Sequence, residues 1–341
     1  MSWDLLGHEW AERLLAGHIR RGETRHAYLL TGPPGVGKRS LALRFIQALN
    51  CPNPPEPGQP CRLPSCRVCR QTEAMQHVDL SVVQAEKEGG TLKVEQVREM
   101  QQKLSLMPYE ARWRAALLLR FHEAHPSAQN ALLKTLEEAP PRVVLVLTAE
   151  TPEGVLPTIL SRCEVLRLRP LALDALEDEL LRRGLPEERA RLLARCTGGR
   201  LGAALRLEAS PERLERRGEL LEDMFSLLGE SKRRRFAYAE KLAEGKESRE
   251  RLREALLAWL SLWRDALLRA SGADLLPANS DREAEIDLLA REVGLDGARR
   301  GALAAERALT GLDANLNVRL LAEVTLMDWP RVRNLAHDPA D

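Results

Sequence analysis

Gly32-Pro33-Pro34-Gly35-Val36-Gly37-Lys38-Arg39-Ser40 follows the short apolar run Ala27–Leu30 and opens a helical pattern over Ser40–Leu49. Glycines at these spacings let backbone N–H groups wrap a phosphate, and the lysine after the last glycine reaches its oxygens. The strand before and the helix after are the context such a loop requires. One residue breaks the pattern. Arg39 stands where a Ser or Thr hydroxyl would hold Mg²⁺, and a guanidinium cannot ligate a cation. The stretch therefore predicts a nucleotide-binding fold and puts hydrolysis in doubt.

Outward from this loop, apolar runs recur at Leu80–Val83, Ala115–Leu119, Val143–Thr148 and Val165–Leu168, separated by helical stretches. Five short strands alternating with helices predict a parallel, doubly wound α/β sheet over residues 1–170. After Pro170 the pattern changes to short helices around Gly198-Gly199, a small helical segment over 171–210. From Pro211 onward it is helical, with Leu256, Leu257, Leu260, Trp263 and Leu267 on one face and a loop at Gly272–Ser280. The end, Asn334–Asp341, reads as a polar tail.

The chain has 341 residues, room for two or three domains, and its net charge is +1, so no global basic field draws it to nucleic acid. Aromatic residues are 4%, too few for a base-stacking platform. No apolar run reaches transmembrane length and the N-terminus lacks an export-signal layout, which predicts a cytoplasmic protein. Lys232-Arg233-Arg234-Arg235 could touch phosphates, but flanking Glu230 and Glu240 favour a solvated helix face. Trp259 and Trp263, four residues apart on a helix, fit core or subunit packing better than base stacking.

Cys51, Cys61, Cys66 and Cys69 form C-x9-C-x4-C-x2-C in a segment interrupted by Pro52, Pro54, Pro55, Pro57, Pro60 and Pro64. The prolines predict a knuckle rather than a helix. Four thiolates close a tetrahedral set for structural zinc with no open position for water. Unrelated free thiols, or a redox pair at Cys66 and Cys69, are the alternatives, and spacing and compartment favour zinc. Cys163 and Cys196 are isolated and read as small buried hydrophobes.

A hydrolytic loop of this kind needs acids at the end of a neighbouring strand. The candidate strand, Ala115–Leu119, ends instead in Arg120-Phe121-His122-Glu123. Glu123 lies beyond the strand end, at what reads as the start of a helix, and a solvated helix residue is the favoured reading. The metal-binding acid is missing, in keeping with Arg39.

Longer stretches then carry a resemblance. Gly7-His8 through His26-Ala27-Tyr28-Leu29-Leu30, His77-Val78-Asp79-Leu80, Lys93–Arg98, Asn130-Ala131-Leu132-Leu133-Lys134-Thr135-Leu136-Glu137-Glu138 and Ser161-Arg162-Cys163 resemble segments of the delta prime family of bacterial DNA polymerase III clamp-loader subunits, within the AAA+ superfamily. The match is dense over residues 1–170, and the Asn130–Glu138 run with Ser161–Cys163 is its most specific part. The resemblance implies an AAA+ P-loop domain with a zinc module near 51–69, a helical lid at 171–210 and a helical oligomerisation collar at 211–341. It implies that Arg162 is an arginine finger acting on a neighbour's ATP, that Gly32–Ser40 is the nucleotide cradle, and that Thr148 sits at the sensor-1 strand end. Measured against the family's motor subunits, Leu119 and Arg120 replace both Walker B acids, and Gly202 replaces the sensor-2 arginine in Gly199-Arg200-Leu201-Gly202. Those losses, with Arg162 kept, imply a non-hydrolysing stator in a clamp loader. Its partners would be gamma/tau and delta subunits and, through the complex, the sliding clamp and primer-template DNA. ATP or ADP could still bind. The competing readings are an ATP-hydrolysing motor subunit and, more distantly, a small-molecule P-loop kinase. The first would turn over ATP alone; the second has no reason to contain the Asn130–Glu138 run.

Overall fold

The computed structural model describes residues 3–61, 65–86 and 90–332. Pro64 and the Asn334–Asp341 tail lie outside the described residues. The chain forms two compact units, residues 1–172 with 199–203, and 173–198 with 204–341.

The first unit contains α1 (Glu9–Arg21), β1 (Ala27–Thr31), α2 (Lys38–Asn50), α3 (Arg67–Glu73), β2 (Leu80–Val83), α4 (Val94–Leu104), β3 (Arg114–Leu118), α5 (Pro126–Glu137), β4 (Val143–Ala149), α6 (Pro157–Leu160) and β5 (Glu164–Arg167). All five strands form, each end within one residue of expectation. They pair in parallel in the order β2-β3-β4-β1-β5. The three central strands are buried along their whole length, as sheets covered on both faces require, and that is why they read as unbroken apolar runs.

Alternation along the strands divides the core in two. Tyr28, Leu30, Leu117, Val144 and Val146 face α1 and α2 through Leu15, Leu41 and Phe45. Leu29, Ala116, Leu118, Leu145 and Leu147 face α4, α5 and α6 through Val97, Met100, Leu132 and Ile159. The doubly wound α/β sheet is thus formed, with every strand's carboxyl end on one edge, where ligands bind in such folds.

At the opposite edge, Asp79 precedes β2 and is almost fully buried. It accepts N–H bonds from Tyr109, Glu110 and Ala111, each at 2.8 Å, and from Arg114 Nη2 at 2.8 Å. Burial alone would raise its pKa, but these donors override that and bring it down to about 2.

The second unit contains α7 (Leu173–Arg182) and α8 (Glu187–Cys196), and α9 (Leu201–Glu208) follows them in the chain. Its larger helices are α10 (Pro211–Gly229), α11 (Lys232–Leu242), α12 (Ser248–Ala270), α13 (Glu283–Asp313, kinked at Gly294) and α14 (Val318–Asp328). Its core is built around Trp259 and Trp263, both fully buried as expected, each edge-on to Trp329 at 4.9 and 5.9 Å. The expected loop separates α12 from α13. Leu256 and Trp263 are buried on α12, but Leu257 is 53% exposed, because at the helical repeat it falls one position off the stripe.

The basic run at 232–235 is not uniformly solvated. Arg235 is 3% exposed and donates to five carbonyls, those of Leu227, Leu228, Leu326, Trp329 and Pro330. It closes the orphan carbonyls at the C-terminal ends of α10 and α14, where a cation also meets the negative pole of each helix.

Candidate functional site

The loop Gly32–Gly37 connects β1 to the N-terminus of α2 at the carboxyl edge of the sheet. Gly32 has φ +145° and lies so near the Leu168 carbonyl that a Cβ would meet it at 2.5 Å, so only glycine fits. Among the described residues, the backbone N–H groups of Gly35, Gly37, Lys38 and Arg39 have no carbonyl partner. They are the orphan donors of the start of a helix, a ready anion cradle. Lys38 Nζ spans the loop, donating to the carbonyls of Gly32 and of Pro33, the latter at 3.0 Å. Burial lowers its pKa to about 8, and the Glu150 carboxylate partly opposes this. Arg39 and Ser40 are both exposed, and Arg39, the residue directly after Lys38, carries no hydroxyl.

Two contacts outside the loop fix its shape. His8 Nε2 lies 2.7 Å from the Val36 carbonyl, which can only accept, so this nitrogen carries the proton. The Gly202 N–H donates to the Gly35 carbonyl at 2.9 Å, and a Cβ at Gly202 would sit 2.9 Å from that oxygen. The absence of a side chain at Gly202 is therefore what admits the backbone against the loop. His8 appeared in the sequence only as part of a longer lead-in; its role as a loop support was not legible there.

Beyond the end of β3, Arg120 adopts a left-handed conformation with φ +50°. Its N–H donates to Thr148 Oγ1 at 2.9 Å, and its Nε meets both carboxylate oxygens of Glu123 at 3.0 Å. Glu123 ends the short 3₁₀ turn Phe121–Glu123, and its side chain is 14% exposed. It is a partner of Arg120 rather than the solvated helix residue that the sequence suggested, because the left-handed turn folds it back. Thr148 is buried at the end of β4. Glu150, two residues on, is a further acid near Lys38, at a position that carries no motif in the sequence. It lies 3.8 Å from His122 Nε2. Burial lowers the His122 pKa, outweighing the nearby Glu150 and Glu123 carboxylates, which raise it.

Arg162 lies beyond α6, before β5. Its Nη2 donates to Glu137 Oε1 at 2.8 Å, and its Nη1 to the Thr158 carbonyl at 2.9 Å and Ser161 Oγ at 3.3 Å. The guanidinium remains about one-third exposed. Its neighbour Cys163 and the distant Cys196 are only partly buried, and desolvation raises their thiols to about 12 and about 11, which keeps both unreactive.

Cys51, Cys61, Cys66 and Cys69 converge, with all four Sγ atoms within 4.8 Å of one another. None is in a disulfide, and Cys61 Sγ lies 3.7 Å from Cys69 Sγ. Four sulfurs about 2.3 Å from a central zinc would be separated by about 3.8 Å, so the donor set fits that ion. The segment is only partly the non-helical knuckle expected. Cys51 caps α2, Cys66 caps α3 and Cys69 lies in the first turn of α3, so two helix ends supply the rigidity that the prolines alone do not. Trp3 Nε1 donates to the Gly58 carbonyl at 3.2 Å and ties the intervening loop down.

Among the described residues no helix is long and apolar enough to cross a membrane. A family profile described as "DNA polymerase III, delta subunit" matches residues 7–172. Subunit tau of DNA polymerase III from Escherichia coli is 35% identical over 214 residues, 60% of this chain and 32% of tau. A DNA polymerase III gamma subunit-related protein from Thermotoga maritima superposes with a TM-score of 0.44 at 19% identity, covering 94% of this chain and 97% of that one. DNA polymerase III subunit delta′ from Pseudomonas aeruginosa is 32% identical over 336 residues, 94% of this chain and 96% of its own length. With an identity of that level sustained across nearly the whole of both chains, this chain belongs to the delta′ subunit family of the DNA polymerase III clamp loader.

Proposed function

We propose that the chain is a non-hydrolysing stator of the clamp loader, supplying Arg162 in trans to ATP bound by a neighbouring gamma/tau-type subunit. The observation that carries this is the fate of the strand end after β3. Arg120 spends its N–H on Thr148 and its guanidinium on Glu123, in the place where a hydrolytic site would present acids to Mg²⁺. Arg39 removes the metal-binding hydroxyl on the other side. The phosphate cradle, with Gly32 to Gly37, Lys38, Arg39 and Ser40 around it and Thr148 nearby, retains unpaired N–H donors and can hold ATP or ADP without turning it over.

Arg162 is suited to the opposite task. A guanidinium is permanently charged and can stabilise charge developing on a transferring phosphoryl group. The helical C-terminal unit would be the collar that assembles this chain with gamma/tau and delta subunits. The sliding clamp and primer-template DNA would be engaged through that complex, in the cytoplasm. The four cysteines would hold one structural zinc, whose contribution is to close the loop between α2 and α3.

The test is an ATPase assay and a nucleotide titration on the isolated chain. The stator reading expects no turnover above background, whether or not ATP or ADP binds. Robust turnover by the isolated chain would overturn it.

A further inference from the structure

The contact between Arg162 and Glu137 joins the two most specific motifs of the sequence. Glu137 is the last residue of α5, within the Asn130–Glu138 run, and it takes Nη2 of Arg162 at 2.8 Å. Nη1 is occupied by the Thr158 carbonyl and the Ser161 hydroxyl. Among the described residues this leaves the Nε–H and one Nη2 hydrogen without a partner. A carboxylate this close cancels most of the field that a finger is meant to project.

We propose that Glu137 is the resting counter-anion of Arg162, holding the finger until the phosphate of a neighbouring subunit's nucleotide displaces it. The inference rests on the reading of Arg162 as a trans-acting finger. The exposure of the pair decides between a resting partner and a permanent one. The side chains are 35% and 52% exposed. A pair so wetted favours its closed form by no more than ~5-fold. A triphosphate, with more charge and several oxygens matched to the guanidinium fork, can outcompete it. A fully buried pair could not be exchanged so cheaply. The Thr158 carbonyl contact needs no release, because it fixes the base of the fork while the Glu137 arm swings free.

The consequence is a tax on engagement. If the finger is held in about five of six molecules, its apparent affinity for the neighbour's phosphate falls about six-fold. Removing the charge of Glu137 lifts the tax.

The experiment uses the clamp-loader complex reconstituted with gamma/tau and delta subunits, with ATPase rates measured over a range of ATP concentrations in the absence of clamp and DNA. Glu137→Gln is expected to lower KM for ATP or raise the rate at sub-saturating ATP about two- to five-fold. Glu137→Asp, which keeps the charge, should stay nearer the wild type. In the double variant with Arg162→Ala the Glu137→Gln effect should vanish, because it acts only through the finger. A slower or unchanged Glu137→Gln complex with an intact Arg162 effect would overturn this inference alone. A Glu137→Gln effect that persists without Arg162 would also overturn it. An Arg162→Ala complex of wild-type activity would remove the finger reading itself, and this inference with it.

Discussion

The main-chain N–H of Arg120 donates to the hydroxyl of Thr148 at 2.9 Å, joining the end of β3 to the end of β4. This bond explains how a left-handed arginine is tolerated at that corner: the turn is held from the neighbouring strand. Thr148→Val keeps the shape and removes the acceptor. It is expected to cost about 0.5–1.5 kcal/mol, the net worth of one hydrogen bond at this part-buried corner. Chemical denaturation of the isolated chain would measure it, and a loss below a few tenths would mean that the corner does not depend on Thr148.

Lys38 predicts a pH signature. Burial holds its ammonium near 8 in the folded chain, against about 10.4 when unfolded. Between those values the unfolded chain binds a proton that the native chain lacks, so this group makes stability rise with pH there. A bound phosphate favours the charged lysine. Nucleotide affinity should therefore fall as pH rises through about 8, with proton uptake on binding above it. Calorimetry of ADP binding at pH 8.5 in two buffers of different ionisation enthalpy checks this. Binding without proton uptake, or uptake that survives Lys38→Met, would contradict it.

Asp79 predicts the opposite edge of the pH range. Its carboxyl is held at about 2 by Tyr109, Ala111 and Glu110 N–H groups and by Arg114, against the cost of its burial. Its folded pKa is depressed, so its contribution is complete above the unfolded value near 3.9 and is lost as pH falls through about 2. The shift corresponds to about 2–3 kcal/mol. Asp79→Asn should lose a similar amount at pH 7 and show a shallower acid transition in urea titrations from pH 7 to pH 2.

The cysteine cluster predicts about one zinc per chain, since four ligands close one tetrahedral site. Metal analysis of the purified chain checks the count. Cys66→Ser should release the ion and lower the melting temperature, because the α2 to α3 loop then loses its closure. A metal-free wild type that melts normally would contradict the assignment.

Much of the first unit was legible because its strands are simple. Ala27–Leu30 and Val143–Thr148 are apolar throughout, since both faces of the sheet are covered, and their turn-rich boundaries mark the ends. The glycine-rich turn between β1 and α2 was legible from glycine spacing alone. Arg235 was not, because a basic run has no sequence mark distinguishing the one side chain that turns inward to five carbonyls. Glu123 and Glu150 were misread or missed for a related reason: their positions depend on how the chain turns after β3 and β4. Glu137 is visible in the sequence as part of a motif, but its bond to Arg162 joins residues 25 apart. Only the packing of α5 beside α6 brings them together.

The central claim is that this chain acts on a neighbour's ATP rather than on its own. Two variants of the same subunit separate those roles in the reconstituted complex: Arg162→Ala and Lys38→Met. Loss of an arginine finger costs on the order of 10³-fold or more at the site it serves. The account predicts that Arg162→Ala removes that site's share of the clamp- and DNA-stimulated ATPase, while Lys38→Met leaves the rate at the wild-type level. A complex slowed by Lys38→Met but untouched by Arg162→Ala would contradict it.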